Sequence, residues 1–242
     1  MGVRELVLVR HGESQGNVAA AAAYEQGLEA IEIEERDADV ELSPAGRDQA
    51  RALGGALATM TEDERPDVVW CSPYVRALQT ARIALEEADL DLSVRVDERL
   101  RDRELGILDR LTVTGVQTRH PEEAELRKRL GKFYHRPSGG ESWADVALRL
   151  RSVLSDLDRA EDGRRVLVVC HDAVVMLIRY VCEQMSEAQV LETESEPVRN
   201  VSITRLSRRS GGTTWRLTGF NDVSHLEEEP APVTHHPGLR DG

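Results

Sequence analysis

Apolar residues fall in short blocks along this chain, and the blocks keep two different periods. Four are compact runs of strand formers: Leu6-Val7-Leu8-Val9, Val68-Val69-Trp70, a weaker one over residues 93–96, and Val166-Leu167-Val168-Val169-Cys170. The last is apolar at every position, which predicts a strand in a sheet covered on both faces. The blocks between them keep a helical period. Trp143, Val146, Ala147, Leu150, Val153, Leu154 and Leu157 follow i, i+3, i+4 spacing, with Asp145, Arg149, Asp156 and Arg159 on the opposite face. Gly46, Ala50, Leu53, Leu57 and Met60 keep the period behind Ser43-Pro44, a cap and a first helical residue. Ser14 caps a further predicted helix through Gln15, Asn17 and the alanines of 19–23. Residues 173–182 are apolar around most of a helix circumference and predict a buried helix, with Asp172 as its N-cap.

Strands alternating with helices point to an α/β domain. Residues 198–206 and 213–218 flank Arg208-Arg209-Ser210-Gly211-Gly212 and read as a hairpin. The expected organisation is one domain over 1–220, with a helical insert at about 112–136, then a poorly ordered acidic tail over 221–242. The acidic stretch 29–39 and the basic residues Arg127, Lys128, Arg129, Lys132 and Arg136 are expected to be solvated faces. His235-His236 in the tail carries little meaning by itself.

At 242 residues, 40% hydrophobic, the chain is large enough to bury a core. No apolar run is long enough to span a bilayer, and Arg4 and Glu5 interrupt the only N-terminal apolar stretch, so a cytoplasmic location is expected. Cys71, Cys170 and Cys182 lack metal-ligand spacing and read as reduced core thiols. A net charge of −13 argues against nucleic acid and anionic membranes as partners. A homodimer is left open.

Three strand-to-helix junctions carry the candidate chemistry. One ends in Arg10-His11, one in Ser72-Pro73, which reads as a helix start with Arg76 in its first turn, and one in His171. If the strands are parallel, all three lie at the sheet edge where ligands bind in open α/β folds. Two arginines and two histidines gathered there call for an anion, and guanidinium forks match phosphoryl oxygens. No Walker sequence, dinucleotide fingerprint or metal triad is present, so side chains rather than Mg²⁺ or a cofactor are expected to neutralise the charge. The mixed-charge run 97–106 reads as a solvated loop of mutual ion pairs that also places carboxylates beyond a strand end.

Arg10-His11-Gly12-Glu13-Ser14 with Asn17, Ser72-Pro73-Tyr74-Val75-Arg76-Ala77-Leu78-Gln79-Thr80-Ala81, Gly140-Glu141-Ser142, and His171 after an apolar strand resemble the histidine phosphatase (phosphoglycerate mutase-like) superfamily. The resemblance runs in order over residues 6–179. It implies a doubly wound, mostly parallel α/β sheet with helices on both faces. It implies His11 as the nucleophile that becomes phosphohistidine, and Arg10, Arg76 and His171 as the phosphate pocket, with Asn17 as a further donor. Asp102, four residues before Gly106, matches the proton donor, and Glu141 matches a residue near the substrate end. Asp102 stands where the mutase-like branch usually has Glu, so Glu104 competes by its longer reach. Asp172 beside His171 resembles the acid of the phytase branch and ranks third. The implied activity is metal-independent hydrolysis of a small phosphorylated metabolite. Phosphoglycerate mutase-type transfer and a non-catalytic phosphate-binding module are the alternatives.

Overall fold

The computed structural model describes residues 2–193, 197–209, 212–228 and 231–234. Its strands are β1 Glu5–Arg10, β2 Val68–Cys71, β3 Val94–Val96, β4 Arg165–Cys170, β5 Ile203–Ser207 and β6 Arg216–Asp222. Its helices are α1 Gln15–Glu25, α2 Pro44–Thr59, α3 Val75–Glu87, α4 Val113–Arg119, α5 Pro121–Leu130, α6 Trp143–Ala160, α7 Asp172–Cys182, α8 Glu187–Thr193 and α9 Ser224–Glu228. The sheet order is β3-β2-β4-β1-β5-β6. β3, β2, β4 and β1 pair in parallel, and β5 runs antiparallel to both its neighbours. The sheet is therefore α/β and mostly parallel, as the resemblance implies.

Alternation along the strands explains the layers. Leu6, Leu8, Val68, Trp70, Val166 and Val168 face one core with α6 and α7, while Val7, Val9, Val69, Cys71, Leu167 and Val169 face the other with α2 and α3. Every residue of β4 is buried, because both of its faces are covered. All three cysteines are buried and free, and burial pushes the Cys71 thiol up to about 12. Among the described residues, no helix is long and apolar enough to cross a membrane.

Register aligns the strand ends. Arg10 pairs with Cys170, and Cys71 pairs with Val169. The ladder continues one residue further on both sides: His11 N–H donates to Cys170 O at 2.9 Å, and Ser72 N–H to Val169 O at 3.0 Å. The three junctions consequently share one edge.

Three local expectations are corrected. Ser72-Pro73 does not open a helix; α3 begins at Val75 behind Tyr74, because the Ser72 hydroxyl is engaged by His171. Asp172 is the first helical residue of α7 rather than its cap, a place taken by His171 with no side-chain capping bond. The chain after Asn221 is not a loose tail where it is described. β6 runs to Asp222 and α9 follows, with Leu226 buried against Ala52 of α2. Residues 231–234 are tied down through Gln49 Nε2, which donates to Pro232 O and Thr234 Oγ1 at 2.7 Å each. His235-His236 and Ser210-Gly211 of the hairpin turn lie outside the described residues.

Candidate active site

His11 is the first residue beyond β1 and is almost wholly buried. Its Nδ1 lies 2.7 Å from Gly12 O. A carbonyl only accepts, so Nδ1 carries the proton and Nε2 keeps a lone pair. Arg76 Nε donates toward that nitrogen from 3.2 Å. Burial first, then Arg76, His171 and Arg10, holds the His11 pKa well below 6.5. The ring is neutral at pH 7, on the floor of a cleft, with a nucleophilic nitrogen in reach of a ligand.

The turn that carries His11 is braced from several sides. Thr80 Oγ1 accepts from Gly12 N–H at 3.0 Å and donates to Arg76 O at 2.7 Å, coupling the turn to α3. Asn200 Nδ2 donates to His11 O at 3.0 Å. α2 packs directly on the turn at Gly46, where an added Cβ would stand 1.9 Å from Glu13 O. Only glycine permits that approach.

His171 is fully buried, with its ring centroid 5.1 Å from that of His11. Ser72 Oγ accepts from Tyr74 N–H at 3.3 Å and lies 2.8 Å from His171 Nε2. His171 Nδ1 lies 3.3 Å from Asp102 Oδ2, off the axis of a good hydrogen bond; an ionised carboxylate only accepts, so this side favours the proton on Nδ1. Burial lowers the His171 pKa against the pull of Asp102.

Asp102 stands in the loop before Gly106, whose φ of +56° and close approach to Ser138 O leave no room for a side chain. Its Oδ2 lies 3.2 Å from Arg76 Nη2, and its Oδ1 accepts from Arg103 N–H at 2.8 Å. Loss of water raises its pKa, but His171, Arg76 and the Arg103 N–H outweigh that and hold it well below 3.8. Arg10 is buried and donates to Val198 O. Burial lowers its pKa, while Asp172 and Asp102 pull it back up.

Arg10, His11, Asn17, Arg76, Asp102, Glu104 and Asp172 all line one cleft of about 940 Å³. Asn17 spends its Oδ1 on Ser14 N–H in a capping box, so its NH₂ is the end offered to a ligand. Glu104 is half-exposed and accepts from the Tyr74 hydroxyl at 2.9 Å. Six cationic side chains face six carboxylates in this cleft, a local balance unlike the whole chain.

Two expected residues lie elsewhere. His171 is behind the floor and touches the cleft through Asp102 and the His11 ring. Glu141 does not reach the wall; its carboxylate is filled by Arg101 at 2.7 Å, Arg149 at 2.9 Å and Glu104 N–H at 3.2 Å. Arg149 of α6 also donates to Arg99 O and Asp102 O, so the pair fastens the loop that presents Asp102. From the basic insert only Lys132 lines the cleft, its ammonium 5.1 Å over the Trp143 ring. Sequence reading passed over the roles of Ser72, Asn200 and Arg149. It also took 29–39 as solvated, yet Asp37 from that stretch pairs with Arg76 at 3.0 Å.

Comparison with known proteins agrees with this arrangement. The profile of the histidine phosphatase superfamily (branch 1) matches residues 6–223. Phosphoglycerate mutase-like protein 4 of Arabidopsis thaliana is 31% identical over 224 residues, 93% of this chain and 87% of that protein. The 6-phosphofructo-2-kinase/fructose-2,6-bisphosphatase of Gallus gallus is 31% identical over 185 residues, 76% of this chain but only 34% of that longer protein. A solved mycobacterial glucosyl-3-phosphoglycerate phosphatase superposes with a TM-score of 0.70 at 29% identity, over 91% of this chain and 99% of the other. The histidines at the strand ends and the arginines beside them thus sit inside this match, and the chain belongs to the histidine phosphatase superfamily, branch 1.

Proposed function

We propose that this protein hydrolyses a small phosphorylated metabolite, without a metal, by two displacements at His11. The observation that carries the reading is the state of His11 itself: proton on Nδ1, lone pair on Nε2, and a guanidinium 3.2 Å from that lone pair. In the first step a P–N bond forms at Nε2 while the ester P–O bond breaks in line. Arg10 and Arg76 hold the non-bridging oxygens and oppose their charge, and Asn17 adds an N–H donor. The departing alkoxide takes a proton from an acid, which we assign to Asp102. In the second step water attacks phosphorus, gives a proton to the same carboxylate, and the P–N bond breaks to release inorganic phosphate.

An acid must be protonated, whereas His171 and Arg76 hold Asp102 ionised. A phosphoryl dianion entering between Arg76 and Asp102 competes for the guanidinium and disfavours a second negative charge beside it. That raises the Asp102 pKa when the proton is needed. His171 keeps the carboxylate in place from behind, with its own ring held by Ser72.

The relatives are named for sugar phosphates and phosphoglycerate derivatives, and the cleft is large enough for a ligand of that size. Its polar floor continues into an apolar side formed by Ala20, Tyr24, Ile31, Ile33 and Leu111. A substrate with a phosphoryl head and a partly apolar body fits this pattern.

The test is a rapid quench with substrate followed by mass spectrometry. One acid-labile phosphoryl group is expected on the peptide carrying His11, with turnover unchanged by EDTA. His11→Ala should lose the label and at least about 10⁴-fold in kcat while keeping its melting temperature within a few degrees. Appreciable turnover in His11→Ala, or a Mg²⁺-specific rescue after chelation, overturns the reading. Phosphoryl transfer from the label to a hydroxyl acceptor rather than to water would make the protein a mutase.

A further inference from the structure

The acidic stretch 29–39 crosses the mouth of the cleft as a strap. One end is lashed to the loop after Gly106: Ile31 N–H donates to Arg110 O at 2.8 Å, and the Arg110 guanidinium donates to Ile33 O and Glu35 O at 2.7 Å each. The other end is held where Gln15 N–H donates to Glu41 O at 2.9 Å. Between them, the single helical turn Asp37–Asp39 lowers Asp37 onto Arg76. Asp37 Oδ1 lies 3.0 Å from Nη1 and Oδ2 lies 3.2 Å from Nη2. This is the fork-to-fork pairing that a guanidinium also makes with a phosphoryl group.

The two partners differ in freedom. The Arg76 side chain is 5% exposed and gripped on its inner side by His11 and Asp102, whereas Asp37 is 46% exposed. An anion that takes this edge of Arg76 must displace Asp37. A carboxylate or a phosphodiester carries one charge, as Asp37 does, and must also overcome the high effective concentration of a tethered competitor. A phosphomonoester dianion carries two and engages Arg10 as well, so it gains from the exchange.

We propose that Asp37 is a tethered competitor for the outer edge of Arg76, which raises the affinity an anion needs to enter, so that dianionic phosphomonoesters bind where singly charged anions do not. The inference rests on the phosphatase reading above and adds to it a basis for selection.

Asp37→Asn removes the charge and keeps the shape. Competitive inhibition by dimethyl phosphate and by acetate is expected to tighten about tenfold, equivalent to about 1.4 kcal/mol. Inhibition by inorganic phosphate should tighten at least as much, because it displaces the same carboxylate and carries more charge, while only phosphate should inhibit the wild-type protein appreciably. Glu34→Gln removes an exposed charge from the same strap outside the cleft and should change none of these constants. Asp37→Glu, which keeps the charge, should keep the discrimination and serves if Asp37→Asn melts early. Unchanged or weaker monoanion inhibition in Asp37→Asn overturns the proposal, as does an equal effect of Glu34→Gln. A loss of kcat at unchanged melting temperature would make Asp37 a positioning residue for Arg76 instead. Absence of monoester turnover in the wild-type protein would instead refute the phosphatase reading, so the two failures are distinguishable.

Discussion

The floor and the walls of the cleft are held by different forces. On the floor, Arg10 and His11 stand at the end of β1 and Arg76 lies in the first turn of α3, with His171 behind them; each is less than 5% exposed, and the strand ends are fixed by backbone pairing. The walls, 29–41 and 97–110, contain only single helical turns and are pinned by arginines. Arg99 clasps Asp97 and Asp156, Arg110 holds the strap, and Arg149 with Glu141 fastens the loop of Asp102. In the proposed reaction, the groups that meet phosphorus are on rigid elements, and those that choose a ligand are on loops. Asp102 is the exception: a wall residue assigned a floor task.

Asp102→Asn probes that exception most sharply. An alkyl phosphate needs a full proton on its leaving oxygen, whereas p-nitrophenyl phosphate needs little. Turnover of the alkyl substrate is expected to fall by about 10²–10⁴-fold and that of the aryl substrate far less. Glu104→Gln should change both only slightly. If Glu104→Gln shows the selective loss instead, the acid is Glu104 and the spacing to Gly106 has misled.

Arg149→Ala leaves the floor intact and unfastens a wall. The loop of Asp102 loses two carbonyl partners, and Glu141 loses its main counter-charge. About a tenfold drop in kcat is expected on alkyl phosphates, with destabilisation of about 1–3 kcal/mol because the pair is mostly buried. Arg149→Lys should rescue the stability only in part, since an ammonium cannot span Glu141 and two carbonyls. Equal loss on aryl and alkyl substrates would show that Arg149 supports the floor instead.

The smallest effect separates floor from wall by pH. His11 and His171 have folded pKa values below 6.5, so under acid the unfolded chain binds more protons than the native one. Stability is full above about pH 6.5 and falls as the pH drops below it. Asp102 has the opposite chemistry: held below 3.8, it adds stability above that value and loses it only in stronger acid. Melting temperature should therefore decline in two stages, and His11→Gln should flatten the first while leaving the second. A curve that is level down to about pH 5 would mean the histidines are not buried as neutral rings.

Much of the floor was legible from residues alone, and the reason is physical. A strand end is marked locally by an apolar run that stops, so Arg10, His11 and His171 announced their positions. The walls carry no such mark. Glu141 was placed at the substrate end by its motif, yet what it does depends on Arg101 and Arg149, whose approach only the fold determines. Asp37 looked like one charge among many, because nothing in an acidic stretch says which carboxylate will turn inward. Asp172 was read as a cap for a sound reason and lost that place to His171, one residue earlier. The hydroxyl of Ser72 was assigned to a helix start because Ser-Pro usually caps, and the demands of a buried imidazole prevailed.

The order of the sheet bears on how the molecule comes into being. β1 and β2 never touch; β4, made about a hundred residues after β2, lies between them. The carbonyl of His11 then waits for Asn200, 189 residues away, and Asn200 in turn accepts from Thr234 Oγ1. During synthesis, the first two-thirds of the chain can form helices but cannot close the centre of its sheet. Pairings of such long range close late and slowly. A nascent or partly folded chain therefore carries His11 before the frame that positions it exists, and the turn after β1 gains its last brace only once Asn200 has been made.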